Sequence, residues 1–99
     1  MKIEFHPDAA DELIAAAQYY EDQQDRLGQR FLDSIDEALS FLKKNPEVWH
    51  SDERGRRKQR VKRFPYLIVY KYEQGRVLVL AIAHAKRKPG YWKERDGVR

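Results

Sequence analysis

The sequence predicts a single α+β domain of residues 1–99: an N-terminal strand, an antiparallel two-helix hairpin, a three-stranded antiparallel meander and a short C-terminal tail. Three observations support this prediction. A chain of 99 residues with 41% hydrophobic residues suffices for one modest core. Apolar residues in the first half recur at helical spacing. The second half instead contains short, nearly continuous apolar runs bounded by turn residues, which is typical of strands.

The first element is a short strand followed at once by a helix. Ile3 and Phe5 alternate with polar residues over residues 2–6, which is the period-two pattern of a half-buried strand. Pro7 favours the first position of a helix, and the acidic residues after it suit the positive end of the helix dipole. The helix is expected to end near Gln24. Its apolar stripe comprises Ala10, Leu13, Ile14, Ala17 and Tyr20.

A second amphipathic helix completes the hairpin. Leu27-Gly28 interrupts the helical pattern and predicts the turn. The pattern then resumes with a stripe of Phe31, Ile35, Ala38, Leu39 and Leu42. The helix ends in Lys43-Lys44-Asn45-Pro46, where the two lysines suit the negative end of the dipole. Two such helices must have their apolar stripes covered by the rest of the chain.

Three strand patterns follow a polar loop over residues 46–55. They cover residues 57–63, 66–72 and 76–83. Glu73-Gln74-Gly75 is a tight turn, so consecutive strands are expected to pair as an antiparallel meander. The middle strand carries apolar groups on both faces, as expected of a central strand. Residues 84–99 form the tail.

The composition excludes several kinds of site. The chain has no cysteine, which excludes a disulfide scaffold, a thiolate metal site and a cysteine nucleophile. Its five glycines are too dispersed for a phosphate-binding loop, and its three histidines have no spacing that would converge on a metal. No apolar run is long enough for a secretory signal or a membrane-spanning helix. We therefore expect a cytoplasmic protein with no metal, no cofactor and no membrane partner.

The charge is distributed unevenly along the chain. Residues 1–53 hold 5 Lys/Arg and 13 Asp/Glu, a balance of −8, whereas residues 54–99 hold 15 and 3, a balance of +12. Two halves of opposite charge predict an acidic side and a basic side in one small domain. A basic side commonly meets phosphate groups or an acidic protein, although the two halves could also neutralise each other through solvated ion pairs.

Residues 54–63 are the densest basic segment and contain no acidic residue with which to pair. Because alternate residues of a strand share a face, one side would carry Arg56, Lys58, Arg60 and Lys62. The other side would carry Arg57, Gln59, Val61 and Arg63. Such a row of cations could follow a nucleic-acid backbone, accept an acidic peptide alongside the sheet, or protect an edge strand from aggregation. The residue types do not distinguish these alternatives.

The tail mixes cations with aromatic rings. The residues concerned are His84, Lys86, Arg87, Lys88, Tyr91, Trp92 and Arg95. Such a mixture could hold phosphates and stack on bases, and His84 is a plausible acid or base near neutral pH. For Trp92 we predict instead a packing role over the helix hairpin, which would anchor the chain end.

Taken together, these segments resemble the RelE/ParE superfamily of bacterial toxins, which occur in pairs with antitoxins. The resemblance spans residues 3–95. Its carriers are Tyr19-Tyr20-Glu21, Leu27-Gly28-Gln29-Arg30-Phe31, Asn45-Pro46, residues 60–70, Ala81-Ile82-Ala83-His84 and Arg87-Lys88-Pro89-Gly90-Tyr91-Trp92. The resemblance implies a strand, a helix hairpin and an antiparallel sheet. It also implies a cognate antitoxin whose disordered segment folds over the toxin and blocks it.

The resemblance implies one of two targets. RelE-like members cleave messenger RNA in the ribosomal A site, whereas ParE-like members poison DNA gyrase without a known bond-breaking site of their own. RelE itself carries an arginine in the third strand, where this chain has Leu67. This departure and the Phe-Pro-Tyr setting before it favour the ParE-like branch. We therefore expect the growth-inhibiting toxin of a type II, plasmid-stabilising pair that acts on gyrase.

Two sets of site residues follow from these alternatives. For a gyrase poison, the surface that contacts the target or nucleic acid comprises Arg56, Arg57, Lys58, Arg60, Lys62, Arg63, Lys86, Arg87 and Arg95. For a ribosome-dependent endoribonuclease, the catalytic residues would be Arg87, Lys58, Lys62, His84 and Tyr91. The first three would stabilise the scissile phosphate, and His84 or Tyr91 would move protons. The chain is an enzyme only in the second case, and a folded member that is no longer toxic is a third possibility.

Overall fold

In the computed structural model, which describes residues 2–95, two helices cover one face of a four-stranded sheet. The elements are β1 Lys2–Phe5, α1 Pro7–Gln23, α2 Leu27–Lys44, β2 Arg56–Arg60, β3 Tyr66–Glu73, β4 Arg76–His84 and a short 3-10 helix Lys93–Arg95. The order of strand, helix hairpin and three strands confirms the predicted α+β fold. None of the helices in residues 2–95 has the length and apolar character needed to cross a membrane.

The sheet has the strand order β1-β4-β3-β2. The pairs β2–β3 and β3–β4 are antiparallel, which confirms the predicted meander. The first strand joins the sheet as well, because β1 pairs in parallel with β4, with Ile3 opposite Val77 and Phe5 opposite Val79. The sheet as a whole is therefore mixed, and the expectation of an antiparallel sheet is wrong for this one edge.

The first helix begins one residue after β1 ends. His6 forms its N-cap, and the His6 Nδ1 accepts a hydrogen bond from the backbone N–H of Asp8 at 3.0 Å. This cap satisfies one of the free N–H groups at the start of a helix. The strand consequently ends at Phe5, and the predicted extension to His6 is wrong because that residue serves the helix.

The turn between the helices lies earlier than predicted. Arg26 adopts a left-handed backbone conformation, with φ of 70°, and Leu27 and Gly28 already belong to α2. The Glu21 carboxylate accepts from the backbone N–H groups of Arg26 and Gly28, at 3.0 and 3.1 Å. A Cβ on Gly28 would lie 2.5 Å from the Ala17 carbonyl oxygen. Glycine is therefore required there for close helix packing, and its presence does not mark a turn.

The basic strand is shorter than the predicted residues 57–63. It ends at Arg60, and Arg63 has a positive φ of 69° within the turn that leads to β3. Val61 still donates its N–H to the Tyr66 carbonyl at 3.0 Å, which closes this turn. Lys62 and Arg63 therefore leave the strand, and the predicted alternation of faces stops before them.

The sheet has an apolar layer on each face. Between the sheet and the helices lie Ala9, Phe31, Ile35, Leu42, Ile68, Tyr70, Val77, Val79 and Ile82. On the opposite face, which we call the helix-free face, lie Val69, Leu78, Leu80, Ala81, Ala83 and Trp92. Trp92 is 5% exposed, so its packing role is confirmed. Its predicted place over the helix hairpin is wrong. The central strand is apolar on both faces, so its helix-free face must also be covered, and Trp92 lies there.

Candidate functional site

The first cations of the basic segment are bound by groups of the preceding loop. Arg56 is 8% exposed, and its Nε lies 2.8 Å from an Asp52 carboxylate oxygen. Asp52 also accepts from the backbone N–H groups of Arg54 and Arg56, at 2.8 and 2.9 Å. Burial opposes the charged form of this carboxyl, but the hydrogen bonds from Arg56 and Arg54 outweigh it and lower the pKa of Asp52 to about 2. Arg56 is thus part of a loop closure.

The next cation has a similar role. The Arg57 guanidinium donates to the carbonyl oxygens of Glu47 and Trp49, which fastens residues 46–50 along β2. In the same region the Trp49 indole N–H donates to Gln59 Oε1 at 2.6 Å. Arg57 therefore orders the loop that precedes β2, which a count of charges does not reveal.

The remaining cations of the segment point to two sides of the sheet. The Lys58 ammonium lies 5.4 Å from the centre of the Trp92 ring, on the helix-free face. The Lys62 ammonium lies 3.2 Å from Glu37 of α2, on the other side, and both side chains are mostly exposed. Arg60 and Arg63 are exposed. The structure therefore splits the predicted row of cations.

The tail forms a second cluster around a carboxylate of α1. Arg95 binds Glu12 through two hydrogen bonds of 3.0 and 2.9 Å, and it donates to the Leu80 carbonyl at 2.8 Å. The hydrogen bonds to Glu12 raise the pKa of Arg95, although burial acts in the opposite direction. The side chains of Glu12 and Arg95 are only 16% and 13% exposed. This is the most buried charged pair of those that the structure describes.

Arg87 and Tyr91 lie directly beside this pair. The centre of the Arg87 guanidinium is 3.6 Å from the centre of the Tyr91 ring, and its Nη1 is 3.8 Å from Glu12. The Tyr91 hydroxyl is buried, and no group in the described part of the chain forms a hydrogen bond of normal geometry with it. Burial, and then the adjacent Glu12 charge, raise the pKa of Tyr91 to about 12. Tyr91 therefore stays protonated at neutral pH, and Arg87 is held flat against its ring.

His84 ends β4 at the rim of the same region. Its Nδ1 accepts from the backbone N–H of Lys86 at 3.0 Å, and its ring meets Tyr66 edge to face at 5.2 Å between centroids. A shallow cavity of about 290 Å³ is lined by Glu12, Ala15, Ala16, Tyr19, Tyr66, Ile82, His84 and Arg87. The structure thus brings His84, Arg87 and Tyr91 to one end of the sheet. Lys62, which pairs with Glu37, is directed to α2 instead.

Position 67 lies on the helix-free face, opposite Arg60 on one side and Ala83 on the other. Lys58 and Arg60 are exposed at the rim of this face, Leu67 is half-buried beside Arg60, and Val69, Ala83 and Trp92 belong to the buried apolar cluster of the face. A cation at position 67 would stand between Arg60 and this buried cluster, where the chain has leucine. The exposed charge on this face therefore comes from Lys58 and Arg60.

Glu12 is the residue of this cluster that sequence reasoning missed. Its position near the start of α1 favours a role at the helix terminus, and its nearest sequence neighbours give no other signal. Its main partner is 83 residues away, so only the fold could reveal the pair. Among residues 2–95, no group of His, Asp and Glu side chains is arranged to hold a metal ion.

Comparisons with known proteins identify a family and a shared fold. Residues 3–89 match the family model described as the ParE toxin of the type II toxin-antitoxin system, parDE. No curated protein matches the chain. A solved structure titled as a chromosomal ParDE TA system from P. aeruginosa has a TM-score of 0.74 and 19% identity. The alignment covers 87% of this chain and 97% of that one, which shows that the two share a fold.

Proposed function

The chain belongs to the ParE toxin family of type II toxin-antitoxin systems, and from that premise we propose that it inhibits growth by poisoning DNA gyrase. A cognate antitoxin is its expected partner and neutralises it. On this proposal the chain binds its target and breaks no bond by itself. It would act in the cytoplasm, where the chromosome and plasmids lie, and the pair would serve to stabilise a plasmid.

The observation that carries the choice of target is the half-buried leucine at position 67 on the helix-free face. Leu67 occupies the third-strand position at which RelE itself carries an arginine. Trp92 packs with Val69 and Ala83 on the same face and is 5% exposed. Electrostatic stabilisation of a phosphoryl-transfer transition state requires donors that point at the developing charge. Leucine supplies no such donor at this position, which supports binding of a target over cleavage of RNA.

We further propose that the predicted target surface divides into contacting and supporting residues. Arg56, Arg57 and Arg95 are held by Asp52, by loop carbonyls and by Glu12, so they support the surface. The contacting residues are Lys58, Arg60, Lys62, Arg63, Lys86 and Arg87. All six are exposed. They can therefore form ion pairs and phosphate contacts without first breaking a buried bond.

The test is inhibition of purified gyrase by the purified chain, measured as supercoiling of plasmid DNA and as gyrase-dependent DNA cleavage. The variant Arg60→Ala with Lys86→Ala removes two proposed contacts. We expect it to raise the concentration for half-inhibition about tenfold, with a shallower salt dependence. The matched control, Lys43→Ala with Lys44→Ala, removes two exposed cations at the end of α2 and should match the unmodified chain. No effect of the unmodified chain on gyrase would refute the proposal.

The alternative is a ribosome-dependent endoribonuclease. The observation that favours it is the meeting of Arg87, Tyr91 and His84 at one end of the sheet. In this mechanism Arg87 and Lys58 would stabilise the scissile phosphate, and His84 or Tyr91 would move protons. Lys62, the third expected cation, is paired with Glu37 of α2 and would have to leave it to join them. Mapping of transcript ends after induction would then show new cuts in translated messages, and Arg87→Ala would abolish them. Unimpeded growth at a verified protein level would instead identify a non-toxic member.

A further inference from the structure

The Glu12 carboxylate lies at a gap in the edge of the sheet. The parallel strand β1 accompanies β4 only as far as Val79, whose carbonyl accepts from the His6 N–H at 2.8 Å. Beyond that point no strand in residues 2–95 covers this edge of β4. Backbone groups there still require partners. Side chains must therefore take the place of the missing strand.

Two side chains fill this gap together. The Ile82 N–H donates to Glu12 Oε1 at 3.0 Å, and the Leu80 carbonyl accepts from Arg95 at 2.8 Å. Glu12 and Arg95 bind each other through both carboxylate oxygens, a geometry that fixes the plane of the guanidinium. The pair thus joins α1, β4 and the tail at one point.

The same carboxylate also orients a second cation. Glu12 Oε2 lies 3.8 Å from Arg87 Nη1, while the Tyr91 ring lies against the Arg87 guanidinium at 3.6 Å. Arg87 is nevertheless 56% exposed, so its outer side remains available for a partner. The Glu12 carboxylate therefore holds two tail arginines. Arg95 is a largely buried internal contact, and Arg87 remains exposed.

We propose that Glu12 is the positioning residue for the target-binding tail: it holds Arg87 and Arg95 in the arrangement that the target meets. This inference rests on the proposed function in one respect, because it takes Arg87 as a contact to the target. A side chain that is ordered before binding loses less conformational entropy when the complex forms. The loss of Glu12 should therefore weaken binding even when the tail stays in place.

The tail has a separate anchor, so that positioning and anchoring can be told apart. Trp92 is 5% exposed and packs with Leu78, Leu80 and Ala83 on the helix-free face. This apolar contact does not involve Glu12. Since Trp49 is the only other tryptophan, Trp49→Phe leaves Trp92 as the single reporter of tail docking. Its fluorescence and acrylamide quenching measure whether the tail remains on the sheet.

The test compares Glu12→Gln with Asp8→Asn in the Trp49→Phe chain. Glutamine keeps the shape of the side chain and one acceptor for Ile82, but it loses the charge and the second acceptor for Arg95. Asp8 is a matched control, since it lies on the same helix and its carboxylate is 3.8 Å from the Arg95 Nε but 60% exposed. Exposed pairs of this kind contribute little.

We expect Glu12→Gln to raise the concentration for half-inhibition of gyrase about tenfold, because the Arg87 side chain must then be ordered when the complex forms. Quenching of Trp92 should not change, and the NMR signals of the Arg87 and Arg95 side-chain N–H groups should lose their dispersion. Asp8→Asn should stay within about twofold of the parent chain. Full inhibition by Glu12→Gln would overturn the inference, and so would a Trp92 that becomes open to quenching.

Failure of the proposed target can be recognised separately. If the unmodified chain does not inhibit gyrase, the same variants are compared by growth arrest after induction at equal protein levels. Loss of arrest in Glu12→Gln but not in Asp8→Asn would then support the positioning role and reject gyrase. Equal arrest by the two variants would reject the positioning role whatever the target is.

Discussion

The two basic segments of the chain, residues 54–63 and residues 84–95, contain seven and five Lys/Arg, but the fold binds them in different ways. In the first segment the partners are close in sequence: Asp52 holds Arg56, and loop carbonyls hold Arg57. In the second segment the partner is Glu12, which lies at the other end of the chain. The first arrangement closes a loop, whereas the second joins a terminal segment to the first helix.

This difference shows why a count of basic residues does not measure a binding surface. Arg56 and Arg95 are both cations of the basic half, yet their side chains are only 7% and 13% exposed. Their charges are balanced inside the molecule. The exposed cations, such as Arg60 and Lys86, are the ones that can attract a partner. Substitutions should accordingly have structural effects at the first kind of position and binding effects at the second.

The largest expected effect distinguishes the tryptophan of the second segment from the one that lies beside the first. Trp92→Ala removes a side chain that is 5% exposed, and we expect a loss of about 3–5 kcal/mol in the free energy of unfolding. Trp49→Ala removes a ring that is 40% exposed beside the basic strand, and its loss should be about 1 kcal/mol. Urea denaturation followed by circular dichroism measures both. If Trp92→Ala does not fold, Trp92→Phe serves in its place, and equal losses for the two positions would contradict the comparison.

A smaller effect separates neighbours within the basic strand. Arg57→Gln removes the donor to the Glu47 and Trp49 carbonyls, so we expect a loss of about 1–2 kcal/mol in the free energy of unfolding. Arg60→Gln is the matched control, since Arg60 is exposed, and its effect should stay within about 0.5 kcal/mol. Thermal and urea unfolding of both variants provide the measurement. A larger loss at Arg60 than at Arg57 would mean that the two roles are reversed.

The smallest effect depends on pH and concerns the loop closure at Asp52. The pKa of Asp52 is lowered from 3.8 to about 2, so its contribution to stability is present above the ordinary value and is lost as the pH falls through the folded value. Because this carboxylate is 45% exposed, we expect Asp52→Asn to cost only about 1 kcal/mol at pH 7. The difference from the unmodified chain should shrink as the pH falls from 3.8 towards 2. A difference that grows over this range would have the wrong sign.

Much of the architecture could be predicted because it depends on local patterns. The stripe from Phe31 to Leu42 predicts α2, and the apolar run before the Glu73-Gln74-Gly75 turn predicts β3. The predicted position of the turn between the helices was wrong because one residue type suits two different structures. Gly28 resembles a turn residue because glycine suits turns, but here it admits the Ala17 carbonyl of the facing helix. Which residue of α1 faces Gly28 depends on how the two helices pack, and the local pattern does not show that.

The candidate site was predicted less completely than the fold. Arg87, Tyr91 and His84 were recognised as chemically suitable residues, and the structure brings them to one end of the sheet. Arg56 and Arg57 were placed in the target surface, and the structure shows them fastening a loop. Their residue types do not distinguish an exposed guanidinium from one that is already bound. That distinction depends on which acids and carbonyls the folded chain places beside them.

The sequence by itself determined the elements, their order, the uneven distribution of charge and the exclusion of cysteine and glycine-loop chemistry. These properties are set by composition and by periodicity over a few residues. Only the tertiary structure decided that β1 runs parallel to β4, that Trp92 covers the helix-free face, and that Glu12 holds the tail arginines. The physical reason is that such contacts join residues far apart in the chain. Which residues meet is decided by the packing of the whole domain. This packing allows one set of pairs among the many that the sequence alone permits.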